Sequence, residues 1–305
     1  MRRVIVVLGP TATGKSKVAI ELAKHYNGEI ISADSMQIYD KMRIGTARLT
    51  EDEMCGIPHH MLAIVEPGTT YTVAEYQTEV KKIIRQIMSR RHTPIIAGGT
   101  GLYINAITHD LDFSDTPGNP KLRQQLSDEY DEKGAEKMHE KLRALDPCAA
   151  NRIHPNDKKR LIRQLEVLQN RKKRIDYNFN RYCKEFDCIL IGLTLDRNTL
   201  YAHINSRVDR MFEDGLEAEA RSIYDEYGSD NTAFLAIGYK EFLPYFNGEQ
   251  SLEETKELIK QRTRNYAKRQ ETWFKRDDRI RWFKANEKNI TEDIENFIEE
   301  TINQK

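Results

Sequence analysis

Five apolar residues, Val4 to Leu8, run directly into the octet Gly9-Pro10-Thr11-Ala12-Thr13-Gly14-Lys15-Ser16. The pattern Gly-x4-Gly-Lys-Ser is a phosphate-binding loop when it joins a strand to a helix, and the spacing after it predicts a helix from about Lys15 to His25. Its glycines let backbone N–H groups converge on phosphate oxygens at the helix N-terminus. Lys15 adds a positive charge, and the Ser16 hydroxyl is a ligand for Mg²⁺. A loop of this kind needs a buried strand behind it and parallel neighbours beside it, which restricts the chain to an α/β architecture. By itself the loop admits ATP or GTP.

The order of the following elements agrees with that class. A second strand is expected at Glu29 to Ala33, ending at Asp34-Ser35, and His59 to Val65 ("HHMLAIV") has the composition of a third. Thr72-x-x-Glu75 reads as a capping box opening a helix to about Ser89, after which "TPIIAGG" reads as a buried strand closing on glycines. From Asp112 to Pro120 prolines, a glycine and aspartates suggest a hinge, and the stretch to about Lys184 has helical spacing. "DCILIGLTLD", Asp187 to Asp196, returns to a buried strand. The expected organisation is a P-loop NTPase-like parallel sheet core over residues 1–113, a helical insertion over 114–184, and core completion with a helical C-terminal region over 185–305. In that last part Asp196 or Asn198 caps a helix ending near Gly215. Ser251-x-x-Glu254 opens a long helix through Trp273, and the rest reads as mostly helical.

The 48 basic and 48 acidic side chains cancel, so the net charge gives no reason to expect disorder or a general nucleic-acid coat. The balance is not local. Asn156 to Lys184 carries ten Lys or Arg against three acidic residues, and Lys256 to Lys284 eleven against four. Such runs are either solvated helix faces or phosphate-gripping surfaces, and Tyr177, Phe179, Tyr182, Tyr266 and Trp273 interleave with them as core or stacking aromatics. The apolar N-terminal run is cut short by Gly9-Pro10, and no segment has the length of a bilayer span. Four cysteines without metal-ligand spacing point to a reducing cytoplasm.

In a parallel sheet, ligands gather at the carboxyl ends of the strands. Asp34, Ser35 and Thr100 are therefore expected around the same cleft as Lys15. Asp34-x-x-Gln37 also resembles a helix cap, so the carboxylate is either a cap or a general base beside a bound diphosphate. A hydrolytic P-loop protein usually has a Mg²⁺-holding Asp at another strand end. Here "PIIAGG" ends in Gly98-Gly99-Thr100-Gly101, and Asp196 doubles as a helix cap.

Six blocks in order, "GPTATGKS", "ISADSMQIYDKMRIGTA", "IIAGGTGLYINA", "NDKKRLIRQLEV", "LDRNTLYAHINSRVDRMFEDGLEAE" and "TRNYAKRQETWFKR", resemble the tRNA dimethylallyltransferases over nearly the whole chain. The resemblance implies that the loop, Gly9 to Ser16 with Arg207, holds the diphosphate of dimethylallyl diphosphate with Mg²⁺ at Ser16. The five-carbon group then passes to N6 of adenosine 37 in a tRNA anticodon stem-loop. It implies Asp34 as base, with Thr100 and Lys15 completing the catalytic set, although Arg207 also reads as a surface or ion-paired arginine. It implies tRNA contacts at Asp34, Ser35, Met36, Gln37, Thr100, Gly238, Tyr239, Lys240, Tyr266, Lys268 and Arg269. Further contacts are implied at Arg123, Lys159, Arg160, Leu161, Ile162 and Arg163. It further implies a monomer of the short bacterial type, cytoplasmic and without a membrane partner. The rival readings are a P-loop small-molecule kinase, an isopentenyltransferase acting on free adenine nucleotides, and a non-catalytic RNA-binding protein.

Overall fold

In the computed structural model residues 3–111, 113, 119–170 and 181–304 are described. Most of the Asp112 to Pro120 hinge, with Tyr177 and Phe179, lies outside them. The chain divides into two compact units, Met1–Asp110 with Asn180–Lys305, and Leu111–Phe179.

The larger unit is built on a sheet whose strands are β1 (Arg3–Leu8), β2 (Gly28–Ala33), β3 (His59–His60), β4 (Thr93–Gly98), β5 (Asp187–Thr194) and β6 (Arg281–Lys284). Among the described residues they pair in the order β3-β2-β4-β1-β5-β6, all parallel. From β1 the chain first fills one side of the sheet and, after the insertion, the other. The carboxyl end of β1 is thus a topological switch point, where an open parallel sheet leaves a crevice. β1 is apolar and buried from Val4 to Leu8 because both faces are covered. On one face α2 (Val73–Ser89) and α3 (Gly101–Thr108) bring Tyr76, Val80, Ile84, Ile104 and Ile107 against Val4, Val6 and Ile96. On the other α1 (Lys15–His25) packs Val18, Ala19 and Leu22 against Ile5, Val7 and Ile191.

Local signals fix several boundaries. The Thr72 and Ser251 capping boxes both form, opening α2 and the long helix α11 (Leu252–Phe274). Asp196, not Asn198, caps α8 (Arg197–Glu213) by accepting from Thr199 N at 3.0 Å. In the smaller unit α4 (Pro120–Lys133), α5 (Ala135–Leu145), α6 (Pro147–Ala150) and α7 (Lys158–Asn170) enclose Leu126, Met138, Leu142, Leu161 and Leu165. In the larger unit α9 (Leu216–Tyr227) and α10 (Leu243–Phe246) lie between α8 and α11 in sequence, and α12 (Ile290–Asn303) closes the chain.

One expectation changes, and one element is added. The third strand shrinks from His59 to Val65 down to His59–His60, because Met61 and Ala63 take positive φ of 63° and 52° and break the extended run. Val65 makes only an isolated bridge to Tyr39. The C-terminal part is not purely helical: β6, with Arg281 and Lys284 exposed at its ends, joins the sheet as a short edge strand beside β5. No helix among the described residues is long and apolar enough to cross a membrane.

Candidate active site

The octet after β1 folds as its glycines require. Gly9 has φ 139°, and a Cβ there would strike the carbonyl of Leu193 on β5; Gly14 has φ 82° where α1 begins. Thr13 Oγ1 donates to Pro10 O at 2.9 Å, and Lys15 Nζ donates to the same carbonyl at 2.6 Å. Lys15 is thus folded back over the loop. Burial and the nearby Arg207 guanidinium pull its ammonium down to about 7, with the Asp34 charge opposing them. Ser16 remains exposed at the helix start.

Opposite the loop, Asp34 directly follows the end of β2. No helix follows it, so the capping alternative takes a smaller form: Asp34 Oδ1 accepts from Met36 N at 2.9 Å and stabilises a turn. The carboxylate also lines one cavity with Thr11, Lys15, Ser16, Gln37 and Arg207. Ser35 N donates to Thr100 Oγ1 at 3.0 Å, and Thr100 N donates to Ala33 O at 3.0 Å, which stitches the ends of β2 and β4 together. A Cβ on Gly98 would strike the backbone of Ala33, so the close approach of the two strands requires glycine.

The far wall comes from loops and helices distant in sequence. Arg207, on α8, is half-buried and approaches Thr46 O at 3.4 Å, the carbonyl that also accepts from Gln37 Nε2 at 3.2 Å. It therefore faces the cavity, and no ion pair to Arg207 is present among the described residues. The Arg43-Ile44-Gly45 amides all donate to the Glu219 carboxylate, at 2.8 to 2.9 Å, and Glu219 Oε1 also accepts from Tyr239 OH at 2.7 Å. That cradle holds the loop carrying Thr46. From α11, Tyr266 reaches the cavity, its phenol pushed up to about 12 by burial and the Asp34 charge.

One residue that sequence reasoning missed ties these walls together. Gln270, only 6% exposed, accepts from Thr11 N at 2.9 Å and donates through Nε2 to Gly99 O at 2.9 Å. A single amide thus bridges the phosphate loop and the end of β4, and a Cβ on Gly99 would collide with it. The only sequence signal was its place in "TRNYAKRQETWFKR", one helical turn beyond Tyr266.

The remaining expected residues are dispersed. Lys268 and Arg269 are exposed on α11, and Lys240 is exposed beside Gly238 and Tyr239, which are buried. Ala12 packs outside the cavity against a small cluster on α8 and α11, while Met36 is half-buried. In the smaller unit Lys159 and Arg160 are exposed, whereas Leu161 and Ile162 are core residues, so their side chains serve packing. Arg123 and Arg163 both bond the buried Glu166, at 3.0 and 2.8 Å, and keep its carboxyl below its usual range against the cost of burial.

The sequence profile of the family described as IPP transferase matches residues 37–277. A tRNA dimethylallyltransferase from Thermoanaerobacter sp. (strain X514) is 47% identical over 303 residues, covering 97% of this chain and 96% of the relative. One from Bacillus subtilis (strain 168) is 44% identical over 282 residues, with 92% and 90% covered. The crystal structure of the full-length tRNA isopentenylpyrophosphate transferase from Bacillus halodurans is similar at a TM-score of 0.76 and 38% identity, covering 100% of this chain and 98% of that one. A eukaryotic dimethylallyltransferase seen acting on tRNA is similar at a TM-score of 0.81 and 31% identity, covering 93% of this chain and 74% of that one.

Proposed function

The chain belongs to the IPP transferase family of tRNA dimethylallyltransferases, and from that premise we propose that it transfers the dimethylallyl group of dimethylallyl diphosphate to N6 of adenosine 37 in tRNA, releasing diphosphate. The observation that carries the reading is one cavity lined by Lys15 and Arg207 with Asp34 beside them. Two cations suit a departing diphosphate, and a carboxylate beside them suits the proton that the acceptor must lose.

N6 of adenine is a weak nucleophile because its lone pair is delocalised into the ring. As it bonds to C1 of the dimethylallyl group, the C1–O bond breaks and its electron pair leaves with the diphosphate. Lys15, Arg207 and the loop amides hold that growing charge, and Asp34 takes the N6 proton. Thr100 and Tyr266, adjacent to Asp34, are suited to orienting the adenine. Burial and Arg207 lower the loop lysine in the free protein, and an arriving diphosphate favours its charged form.

Mg²⁺ fits this donor set. A magnesium ion commonly takes one or two protein ligands and completes its shell with substrate phosphates and water. Ser16 is exposed and lines the cavity, so its hydroxyl would hold the ion, whose charge would offset part of that on the leaving group. The exposed Lys268 and Arg269 on α11 and Lys159 and Arg160 on α7 are suited to the RNA backbone. The protein would act as a cytoplasmic monomer.

The test is incubation with Mg²⁺, carbon-labelled dimethylallyl diphosphate and either unmodified tRNA or AMP, followed by digestion and nucleoside chromatography. Label in a tRNA adenosine and none in AMP is expected. Label in AMP would replace the acceptor, and label in neither would remove the activity.

A further inference from the structure

Behind the phosphate loop, away from the cavity, α8 and α11 pack side by side through Leu200, Ile204 and Ala267, with Ala12 of the loop and the ring of Tyr201 against them. Three cations surround that ring. Arg197 Cζ lies 5.3 Å from its centroid, Arg264 Cζ 5.9 Å and Lys268 Nζ 5.9 Å. Arg197 Nε also approaches the phenol oxygen at 3.3 Å. Burial alone would raise the Tyr201 phenol, yet hydrogen bonds and charge from Arg197 and Lys268 outweigh it and bring the group below its usual range.

The arrangement follows from helical spacing, since Arg197 and Tyr201 are four apart on α8 and Arg264 and Lys268 four apart on α11. What sets the cluster apart from an ordinary charged face is the missing counter-charge. Among the described residues none of the three cations is in an ion pair. Arg264 bonds the neutral Asn205 Oδ1 at 2.6 Å, and Asp196, next to Arg197, spends its carboxylate on the Thr199 amide. Other basic residues of the same helices are neutralised, as Lys256 and Lys260 are by Asp209. Like charges held together without an acidic partner repel one another, and a phosphate oxyanion relieves that repulsion. The face continues on α11 to the exposed Arg269.

We propose that Arg197, Tyr201, Arg264 and Lys268 form a second phosphate site, outside the diphosphate cavity, that seats the phosphodiester backbone of the acceptor RNA. The inference rests on RNA being the acceptor. The same α8 and α11 send Arg207, Tyr266 and Gln270 into the cavity, so an RNA held here is held by the elements that build the reaction site. Phosphate chemistry could equally come from free diphosphate, and the test separates the two sources.

The experiment compares wild type with Arg197→Gln/Arg264→Gln in two measurements: equilibrium binding of unmodified tRNA across a salt series, and inhibition of transfer by inorganic pyrophosphate at saturating tRNA. Each lost phosphate contact should weaken tRNA binding several-fold near physiological salt and flatten the log–log salt slope by about 1. The pyrophosphate inhibition constant should stay unchanged. Unchanged tRNA affinity and slope overturn the proposal. Weaker pyrophosphate inhibition with unchanged tRNA binding also overturns it and assigns the cluster to free diphosphate. If wild type itself ignores tRNA and alkylates AMP, the acceptor reading fails at that step, before any variant is compared. Matching melting curves exclude misfolding; should the double variant melt early, each single replacement carries the same test with half the slope change.

Discussion

Replacing Gln270 by Leu keeps the side chain's bulk and removes both ends of the bridge between the phosphate loop and β4. Thr11 N–H loses an acceptor and Gly99 C=O loses a donor, each at 2.9 Å in the native protein. A buried polar group left without a partner costs about 1–3 kcal/mol, and Thr11, half-exposed at the cavity, can recover part of that from water. The expected loss of stability is therefore about 2–3 kcal/mol. The kinetic effect is separate. With the loop free to shift relative to Asp34 and Thr100, misalignment approaching 1 Å costs on the order of a hundred-fold in rate. We expect kcat to fall by about ten- to a hundred-fold, with the KM for tRNA changed much less. Gln270→Glu sharpens the test. As a carboxylate it still accepts from Thr11 but repels Gly99 O and sits beside the diphosphate; once protonated it donates to Gly99 O again. Its deficit relative to wild type should shrink as the pH falls from about 8 to about 5.5, approaching the range where glutamic acids protonate. Steady-state kinetics with labelled dimethylallyl diphosphate, alongside thermal melting, reads both effects. A Leu variant with wild-type kcat and melting, and a Glu variant whose deficit does not vary with pH, would refute the bridge.

Four further outcomes follow. Asp34→Ala should lower transfer by roughly two to four orders of magnitude while tRNA affinity, read by filter binding, stays within a few fold. Since burial draws Lys15 down to about 7, diphosphate affinity should decline as the pH rises above that value and the lysine loses its charge; calorimetry on Lys15→Met should find that limb flattened. Lys268→Ala with Arg269→Ala should weaken tRNA binding and flatten its salt dependence. Burial of Glu29, 3% exposed, opposes its charge, yet bonds from Arg90, His60 and His92 hold its carboxyl down at about 2. A carboxyl so depressed contributes stability above its unfolded value and loses it as the pH falls towards 2, so Glu29→Gln should show a shallower acid loss in denaturant titrations between about pH 5 and pH 2.

The sequence carried the parts of the fold whose signals are local. A buried apolar run before a glycine loop, two capping boxes and "DCILIGLTLD" located β1, α2, α11 and β5, because each depends on neighbours within a few residues. The other elements depended on distant partners. The run after His59 reads as a strand by composition, but positive φ at Met61 and Ala63 stops it after two residues. β6 is too short and too charged at its ends to announce itself, and exists because β5 offers it an edge. The site divides in the same way. Asp34 and Thr100 follow the carboxyl ends of β2 and β4, and Lys15 opens the helix after the β1 loop, so topology alone brings them together. Gln270 meets Thr11 across 259 residues, and no spacing rule reaches that far. Arg207 was ambiguous for the same reason: its helix was legible, but the cavity it faces was not. The glycines of "GGTG" were legible as a motif, while their cause, the Ala33 backbone and the amide of Gln270, was not.

In the proposed reaction the phosphate loop holds a leaving diphosphate and not a phosphoryl donor. The direct measurement is stoichiometry in one vessel: dimethylallyl diphosphate, unmodified tRNA, Mg²⁺ and ATP, with alkylated adenosine, pyrophosphate and ADP all quantified over time. One pyrophosphate released for each adenosine alkylated, with ATP left intact and the same yield when ATP is omitted, is the predicted result. ADP formed in step with any product, or alkylation that requires ATP, would contradict it.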